Sequence, residues 1–200
     1  MPGAVGVPSG TVVSDIPRPP RTIVPLAGLP FVGLALAFLL FSVLSGSLWA
    51  LTLAHVAFGA AWTIIDLFFG LVLGPILGLM TPRAKLELIT RLMPKMSLIM
   101  PTVVITTLVA GFQLGLLTGV LFVTHPYHAW ILASFVVVGV MSLVAMGVNE
   151  PANLAVLFEL RKPEPDFELI GRLMQRFVYS AAVLGAMQLT TLVIMTRIAS

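Results

Sequence analysis

The sequence predicts an all-α integral membrane protein, a bundle of about five transmembrane helices with interfacial amphipathic segments. Its 200 residues are 58% hydrophobic and only 10% charged, whereas soluble domains carry about 25% charged residues. The mean hydropathy is +1.08. The apolar residues form runs long enough to cross a hydrocarbon core of roughly 30 Å as helices. A lipid bilayer is therefore the expected surrounding of the chain.

The composition also excludes several classes of chemistry. The chain has no cysteine, which excludes disulfides, thiolate metal sites and cysteine nucleophiles. Its net charge is +3, but no basic stripe interleaved with aromatic residues is present, so nucleic acid is not an expected partner. Phosphate-binding glycine loops and nucleophile–base pairs are absent from the sequence, and hydrolase and kinase activities find no support.

The first elements follow from prolines, glycines and length. Residues 1–25 hold six prolines and three glycines without periodicity, which predicts a flexible cytoplasmic tail. Between Pro25 and Met80 the only ionisable side chains are His55 and Asp66. One helix of that length would measure about 80 Å, so we expect a reversal at the Ser-Gly-Ser turn of residues 45–47.

The later elements are marked by prolines and polar links. Thr81-Pro82 predicts a helix start, and residues 83–96 mix five charged side chains with leucines and methionines, as interfacial amphipathic segments do. We interpret residues 149–153 as helix caps at the end or kink of the fourth span, before a second interfacial segment over 151–162. The transmembrane bundle of residues 26–200 then has predicted spans near 26–44, 48–79, 97–122, 128–148 and 176–197.

The distribution of basic residues predicts the orientation. In this five-span arrangement ten of the eleven lysines and arginines fall on one side of the membrane, and only Arg197 falls on the other. The positive-inside rule then places the N-terminus in the cytoplasm and the C-terminus outside, in a bacterial-type inner membrane. Trp49, Tyr127 and Trp130 would lie at the outer boundary, where interfacial aromatic residues belong.

Small residues recur at every fourth position in three of the predicted spans. Such spacing allows two helix backbones to approach closely in lipid. The sequence leaves open whether these faces pack within one bundle, form a homodimer or contact other membrane subunits. The residues concerned are Gly70, Gly74 and Gly78, then Gly111, Gly115 and Gly119, and finally Ala181 and Gly185.

The second span carries the strongest candidates for a functional site. Ionisable groups inside a membrane are costly, at roughly 2.5–3.5 kcal/mol for Asp on insertion scales, and are functional candidates by default. His55 and Asp66 differ by only about 20° around an ideal helix, and Trp62 and Gly59 share their stripe. The stripe predicts a cofactor or proton site that faces the bundle interior. The alternative is structural: His55 donates to a backbone carbonyl, and Asp66 bonds to a threonine.

Other polar residues are possible partners of that stripe. Thr102, Thr106 and Gln113 form one polar face of the third span and are candidate hydrogen-bond partners. His128 opens the fourth span at a depth similar to that of His55, and two histidines on different helices are what a low-spin heme b requires. The alternative is that His125 and His128 are interfacial residues of a wet loop.

The second span resembles the histidine-bearing helix of small polytopic bacterial families. The residues concerned are W49-x5-H55-x6-W62, and the third span is similar in its basic residues before Met100-Pro101. These families are the copper-resistance D-type membrane proteins, the heme-dependent membrane protoporphyrinogen oxidases and uncharacterised relatives. The resemblance implies that His55 matches a heme ligand. The oxidases have a lysine where this chain has Trp130, so the resemblance implies a heme-capable bundle rather than a particular reaction.

Three functions therefore remain open at this point. The first is a membrane heme b or quinone-linked redox module with His55 and His128 as ligands. The second is a non-catalytic accessory or assembly subunit of a larger membrane complex. The third is a copper-handling or transport protein, which Met93, Met96 and Met100 would serve as soft ligands. Transport ranks third because no internal repeat is recognised and few polar groups lie within the spans.

Overall fold

The computed structural model describes residues 25–122 and 128–199, and five long helices account for nearly all of them. A short 3₁₀ turn, Leu26–Gly28, leads into the first helix. The helices are α1 (Leu29–Ser45), α2 (Leu48–Leu79), α3 (Pro82–Leu117), α4 (His128–Leu160) and α5 (Phe167–Ala199).

The five predicted spans correspond to these helices, and each is long and apolar enough to cross a membrane. The predicted tail, His125 and Tyr127 lie outside the described residues. The amphipathic segment 83–96 and the third span form one helix, and α4 continues through residues 149–151 into the second amphipathic segment.

Local sequence explains where the first reversals occur. Gly46 ends α1 with a left-handed backbone, φ 61°, which favours glycine. Ser47 then caps α2 by accepting a hydrogen bond from the Ala50 N–H, and Thr81 caps α3 by accepting one from the Ala84 N–H. Each reversal therefore takes only two residues.

Two helices contain a π-helical turn at corresponding places. In α2 the turn covers Phe68–Leu73 and is followed by Pro75, and in α4 it covers Ala145–Asn149 and is followed by Pro151. A π turn adds one residue to a helical turn and is frequent at functional sites. The polar residues 149–153 therefore lie inside a continuous helix, and Asn149 makes no side-chain capping bond there.

The chain contains an internal repeat, contrary to the expectation from the sequence. The motif ELITRLM at 87–93 recurs as ELIGRLM at 168–174, with six of seven residues identical. Both copies carry the same ion pair, Glu87–Arg91 at 2.7 Å and Glu168–Arg172 at 2.6 Å. Helix α3 thus matches α5 at an offset of 81 residues.

Part of the burial pattern follows the same correspondence. Half of the fourteen buried residues of α3 lie 81 residues before a buried residue of α5, and moving 76 residues from α2 to α4 aligns Pro75 with Pro151 and the two π turns. Matching buried pairs are Ile89/Ile170, Met93/Met174, Met96/Phe177, Met100/Ala181, Val103/Leu184, Thr107/Gln188, Phe69/Ala145, Leu73/Asn149 and Leu77/Asn153.

The packing order repeats as well. Helix α2 packs against α3 and α5, and α4 packs against α5 and α3. This contact order is what two similar hairpins, α2–α3 and α4–α5, give when they pack side by side. Helix α1 stands outside this core and packs on α2 and α3. The α2–α3 reversal and residues 161–166 lie at the same end, which we call the basic end.

Candidate functional site

The contact between α2 and α5 is tight, and glycines make it so. A Cβ added at Gly70 would lie 2.5 Å from the Ala182 Cα, and one added at Gly74 would lie 2.5 Å from a methyl group of Val178. One added at Gly185 would lie 2.8 Å from the Leu67 side chain. Phe69 and Phe177 meet edge to face beside these glycines, with ring centroids 5.3 Å apart. We call this contact the glycine interface.

Asp66 also lies at the α2–α5 contact, one turn from the glycines. It is 1% exposed, and the Gln188 side-chain nitrogen donates to its carboxyl at 2.9 Å. The Trp62 indole nitrogen is buried on the same helix face, one turn before Asp66, and has no hydrogen-bond partner among the described residues. Asp66 therefore links the two hairpins through an amide, not through a threonine.

The predicted partners on α3 do not bond to Asp66. Thr102 donates to the Leu98 carbonyl in its own helix, and the buried Thr106 hydroxyl has no hydrogen-bond partner among the described residues. Gln113 is half-buried in the part of α3 nearer the opposite end. The polar face of α3 thus contributes no described bond to the carboxyl group.

His55 packs against α3 through a glycine. Its Nδ1 lies 2.9 Å from the Thr107 carbonyl oxygen, and a Cβ at Gly111 would lie 2.5 Å from the ring. Because a carbonyl oxygen only accepts, Nδ1 carries the proton and Nε2 keeps its lone pair. This is the tautomer of many metal-ligating histidines. Gly111 therefore makes room for an imidazole rather than for a second helix.

The structure does not bring the two candidate heme ligands into one formed pocket. His128 is exposed at the start of α4, and α2 and α4 make no extended contact with each other. Within residues 25–122 and 128–199, no group of three or more histidine and carboxylate side chains is arranged to hold a metal ion. The candidate copper ligands Met93, Met96 and Met100 are packed in the hydrophobic core.

The contact between α3 and α4 is built from different residues. A small cavity, with room for about one water molecule, lies between these helices and α5. We call this contact the cavity interface. Its lining includes Met100, Pro101, Met146, Asn149, Glu150 and Phe177.

Two polar residues of α4, Asn149 and Glu150, lie at the mostly apolar lining of that cavity, and amide groups of α4 reach both neighbouring helices. The Asn149 amide contacts the Ser180 hydroxyl of α5. The Asn153 amide, oriented to satisfy both partners, donates to the Met93 carbonyl at 3.3 Å and accepts from the Ser97 N–H at 3.0 Å. Asn153 also lies close to the Glu150 carboxyl. These residues are interhelical links rather than the helix caps that the sequence suggested.

The remaining glycines of the predicted packing faces have other surroundings. Gly78 has no atom near its added Cβ, and Gly115 faces Leu121 within the loop that follows α3. Gly119 has a left-handed backbone, φ 72°, beyond the end of α3, where glycine is favoured. Ala182 rather than Ala181 makes the close approach to Gly70.

Two site features were missed at the level of sequence. Gln188 was not identified as the partner of Asp66 because it is 122 residues away. Glu150 was interpreted as part of a cap because it precedes Pro151. Aligning Pro75 with Pro151 places Glu150 at the position of Gly74, so a carboxyl group stands where the other hairpin has a packing glycine.

The chain matches no protein-family model, no curated protein and no solved structure. The resemblance to the copper-resistance and oxidase families therefore stays a prediction.

Proposed function

We propose that the chain is an integral membrane protein of the carrier type, in which two equivalent hairpins move against each other and a proton or small cation is handled between them. The N-terminus lies in the cytoplasm and the C-terminus outside, because the basic loops then face the cytoplasm. The apolar side chains on the outer surface of the helices contact lipid.

The internal repeat is the observation that carries this proposal. Parallel repeats related by an axis along the membrane normal occur in several carrier folds, and their binding sites lie between the repeats. Here each inter-repeat contact contains a carboxyl group, Asp66 at α2–α5 and Glu150 at α3–α4. Transport is ranked third from the sequence because no repeat is recognised and few polar groups lie within the spans, and the repeat removes the first of these two objections.

The irregular helices support the same proposal. Both α2 and α4 have a π turn followed by a proline; the turn of α2 contacts α5 of the other hairpin, and the segment just after the turn of α4 contacts α3. Non-helical or distorted backbone inside a membrane is tolerated where it is buried in protein or lines a cavity. These turns are therefore places where one hairpin can bend without exposing backbone groups to lipid.

A disulfide lock tests whether the hairpins must move. The chain has no cysteine, and a Cβ at Gly74 would lie 3.9 Å from the Val178 Cβ, within the usual range of disulfides. We expect vesicles that contain Gly74→Cys/Val178→Cys to show proton flux, measured with trapped pyranine under a potassium diffusion potential. Oxidation should stop the flux and reduction should restore it.

A disulfide within one hairpin provides the control. The Met141 sulfur lies 3.4 Å from the Thr191 hydroxyl, which joins α4 to α5 inside one repeat. Oxidised Met141→Cys/Thr191→Cys should retain the flux. Proton flux that is absent from the wild-type vesicles, or that survives the inter-repeat lock, would contradict the carrier proposal.

A heme-binding redox module is the second candidate, favoured by the free Nε2 of His55. Purified protein with a Soret band that shifts on dithionite reduction and disappears in His55→Ala would support it. The same spectrum in His128→Ala tests the second ligand. A colourless protein that co-purifies in fixed ratio with other membrane subunits would instead favour the accessory role.

A further inference from the structure

Two carboxyl groups lie at the inter-repeat contacts, and their surroundings differ. Asp66 is 1% exposed and has a fixed donor in Gln188. Glu150 is only half-buried and lines the cavity, and Asn153 of its own helix lies close to it. Asp66 is thus enclosed, whereas Glu150 lies beside a cavity with room for about one water molecule.

The cavity also presents an unpartnered polar atom. Asn149 is 4% exposed and lines the cavity, and its side-chain nitrogen has no hydrogen-bond partner among the described residues. The Ser180 hydroxyl has one proton, which can go to the Arg176 carbonyl at 2.8 Å. If the Asn149 amide is rotated by 180°, its nitrogen donates to the Ser180 hydroxyl. The amide oxygen then takes the place of the unpartnered nitrogen. In either orientation one amide atom is left for a water molecule.

The position of Glu150 favours access from the basic end. It lies 22 residues after His128, about 33 Å along the helix, compared with a hydrocarbon core of about 30 Å. On the neighbouring helices, the charged residues closest in sequence to the cavity lining are Lys95 of α3 and Arg176 of α5, and both are exposed. Neither forms a described ion pair with Glu150, so no fixed cation holds the carboxyl group in its charged form.

We propose that Glu150 is a proton-binding site, which exchanges with the aqueous phase at the basic end through a water molecule held between Glu150 and Asn149. The proton moves between the carboxyl oxygen and this water, and no other reactant is needed. The inference deepens the proposed function, because it names the group that would carry the proton. It does not depend on transport, since a carboxyl group can exchange protons in a protein whose hairpins do not move.

Dicyclohexylcarbodiimide is a suitable probe because it reacts with protonated carboxyl groups in apolar surroundings. The full chain in lipid vesicles is treated over a range of pH, and the modified residue is identified by peptide mass spectrometry. We expect labelling of Glu150 that decreases as the pH rises, because the ionised carboxylate does not react. Asp66 should remain unlabelled because it is enclosed.

Three variants keep the test interpretable. Glu150→Gln should abolish the label, whereas Asp66→Asn should leave it unchanged. Ala145→Leu, which fills the cavity and keeps the carboxyl group, should strongly reduce the label. Monodisperse elution in detergent shows for each variant that the bundle has folded.

Four outcomes would overturn the inference. One is a folded wild-type protein without label at Glu150 at any pH, and another is label at Asp66 instead. A third is labelling that Ala145→Leu does not reduce, which would mean that the cavity is not the route. The fourth is protection by excess sodium at constant pH, which would indicate a metal-cation site. Labelling of Glu150 without any proton flux would support this site and contradict the carrier proposal.

Discussion

The glycine interface and the cavity interface occupy equivalent places in the two halves of the bundle, but their residues differ in size and polarity. Gly70 and Gly74 of α2 correspond to Met146 and Glu150 of α4, and Phe69 corresponds to Ala145. In the first interface an aromatic pair fills the centre while glycines let the helices approach. In the second the large residue is missing from the centre, and a cavity remains beside a carboxyl group.

This difference indicates that the corresponding contacts of the two hairpins, α2–α5 and α3–α4, have different roles. Close packing at the glycine interface holds α2 against α5 in this conformation, because close van der Waals packing is a main attraction between helices in lipid. The cavity interface is held by amide hydrogen bonds around a space that admits water. One of the two corresponding contacts is closely packed and the other contains a cavity. Under the proposed carrier function, an ion therefore enters on the side of the cavity interface.

The aromatic pair gives the largest expected effect. Phe69→Ala removes a ring that is 3% exposed and packs against Phe177, and such changes cost about 3–5 kcal/mol. The equivalent position in the other interface already holds alanine, so Ala145→Val should change stability much less. Reversible unfolding in mixed detergent measures both. Equal losses in the two variants would contradict the difference between the interfaces.

The close helix contact gives the next effect. In Gly70→Ala the new methyl group meets the Ala182 backbone, which cannot move independently of its helix. We expect a loss of about 1–3 kcal/mol, as for other overpacked sites, measured as a lower midpoint of thermal unfolding. Gly78→Ala is the matched control because its added methyl group meets no atom. A Gly78→Ala loss as large as that of Gly70→Ala would show that the effect is not one of contact.

Substitutions at Asp66 separate hydrogen bonding from charge. Asp66→Ala leaves the Gln188 amide buried without an acceptor, and an unsatisfied buried group costs about 1–3 kcal/mol. Asp66→Asn keeps an acceptor for the Gln188 nitrogen and should be close to the wild type in unfolding midpoint. If Asp66→Asn is as unstable as Asp66→Ala, the carboxyl group has a role beyond this bond.

The sequence predicted the parts of the fold that depend on hydropathy and capping. Five apolar runs, the Gly46 reversal and the Thr81-Pro82 start correspond to the helices and reversals of the structure. The stripe of His55, Trp62 and Asp66 was also recognised from helical period, and these side chains face neighbouring helices. Such features need only local information.

The partners of those side chains could not be predicted in the same way. Helix α2 lies beside both α3 and α5, so whether Asp66 meets Gln113 or Gln188 depends on the depth of each residue and on the side of α2 that faces each helix. Apolar helices carry little pattern that fixes either. The repeat was obscured for a similar reason, because outside residues 87–93 most matching positions hold different residues of similar hydropathy. Glu150 then looked like a cap, since a π turn inside α4 leaves no clear mark in the sequence.

The smallest expected effect concerns the ion pairs at the start of α3 and α5. Glu87–Arg91 and Glu168–Arg172 are identical in both repeats, yet their side chains are largely exposed. Exposed i,i+4 pairs contribute only about 0.3–0.5 kcal/mol, so Glu87→Gln and Glu168→Gln should each shift the unfolding midpoint very little. Their effects should also add in the double variant, because the pairs lie on separate helices. A large or non-additive loss would mean that the two motifs interact directly across the basic end, and the equivalence of the hairpins would then have to include that contact.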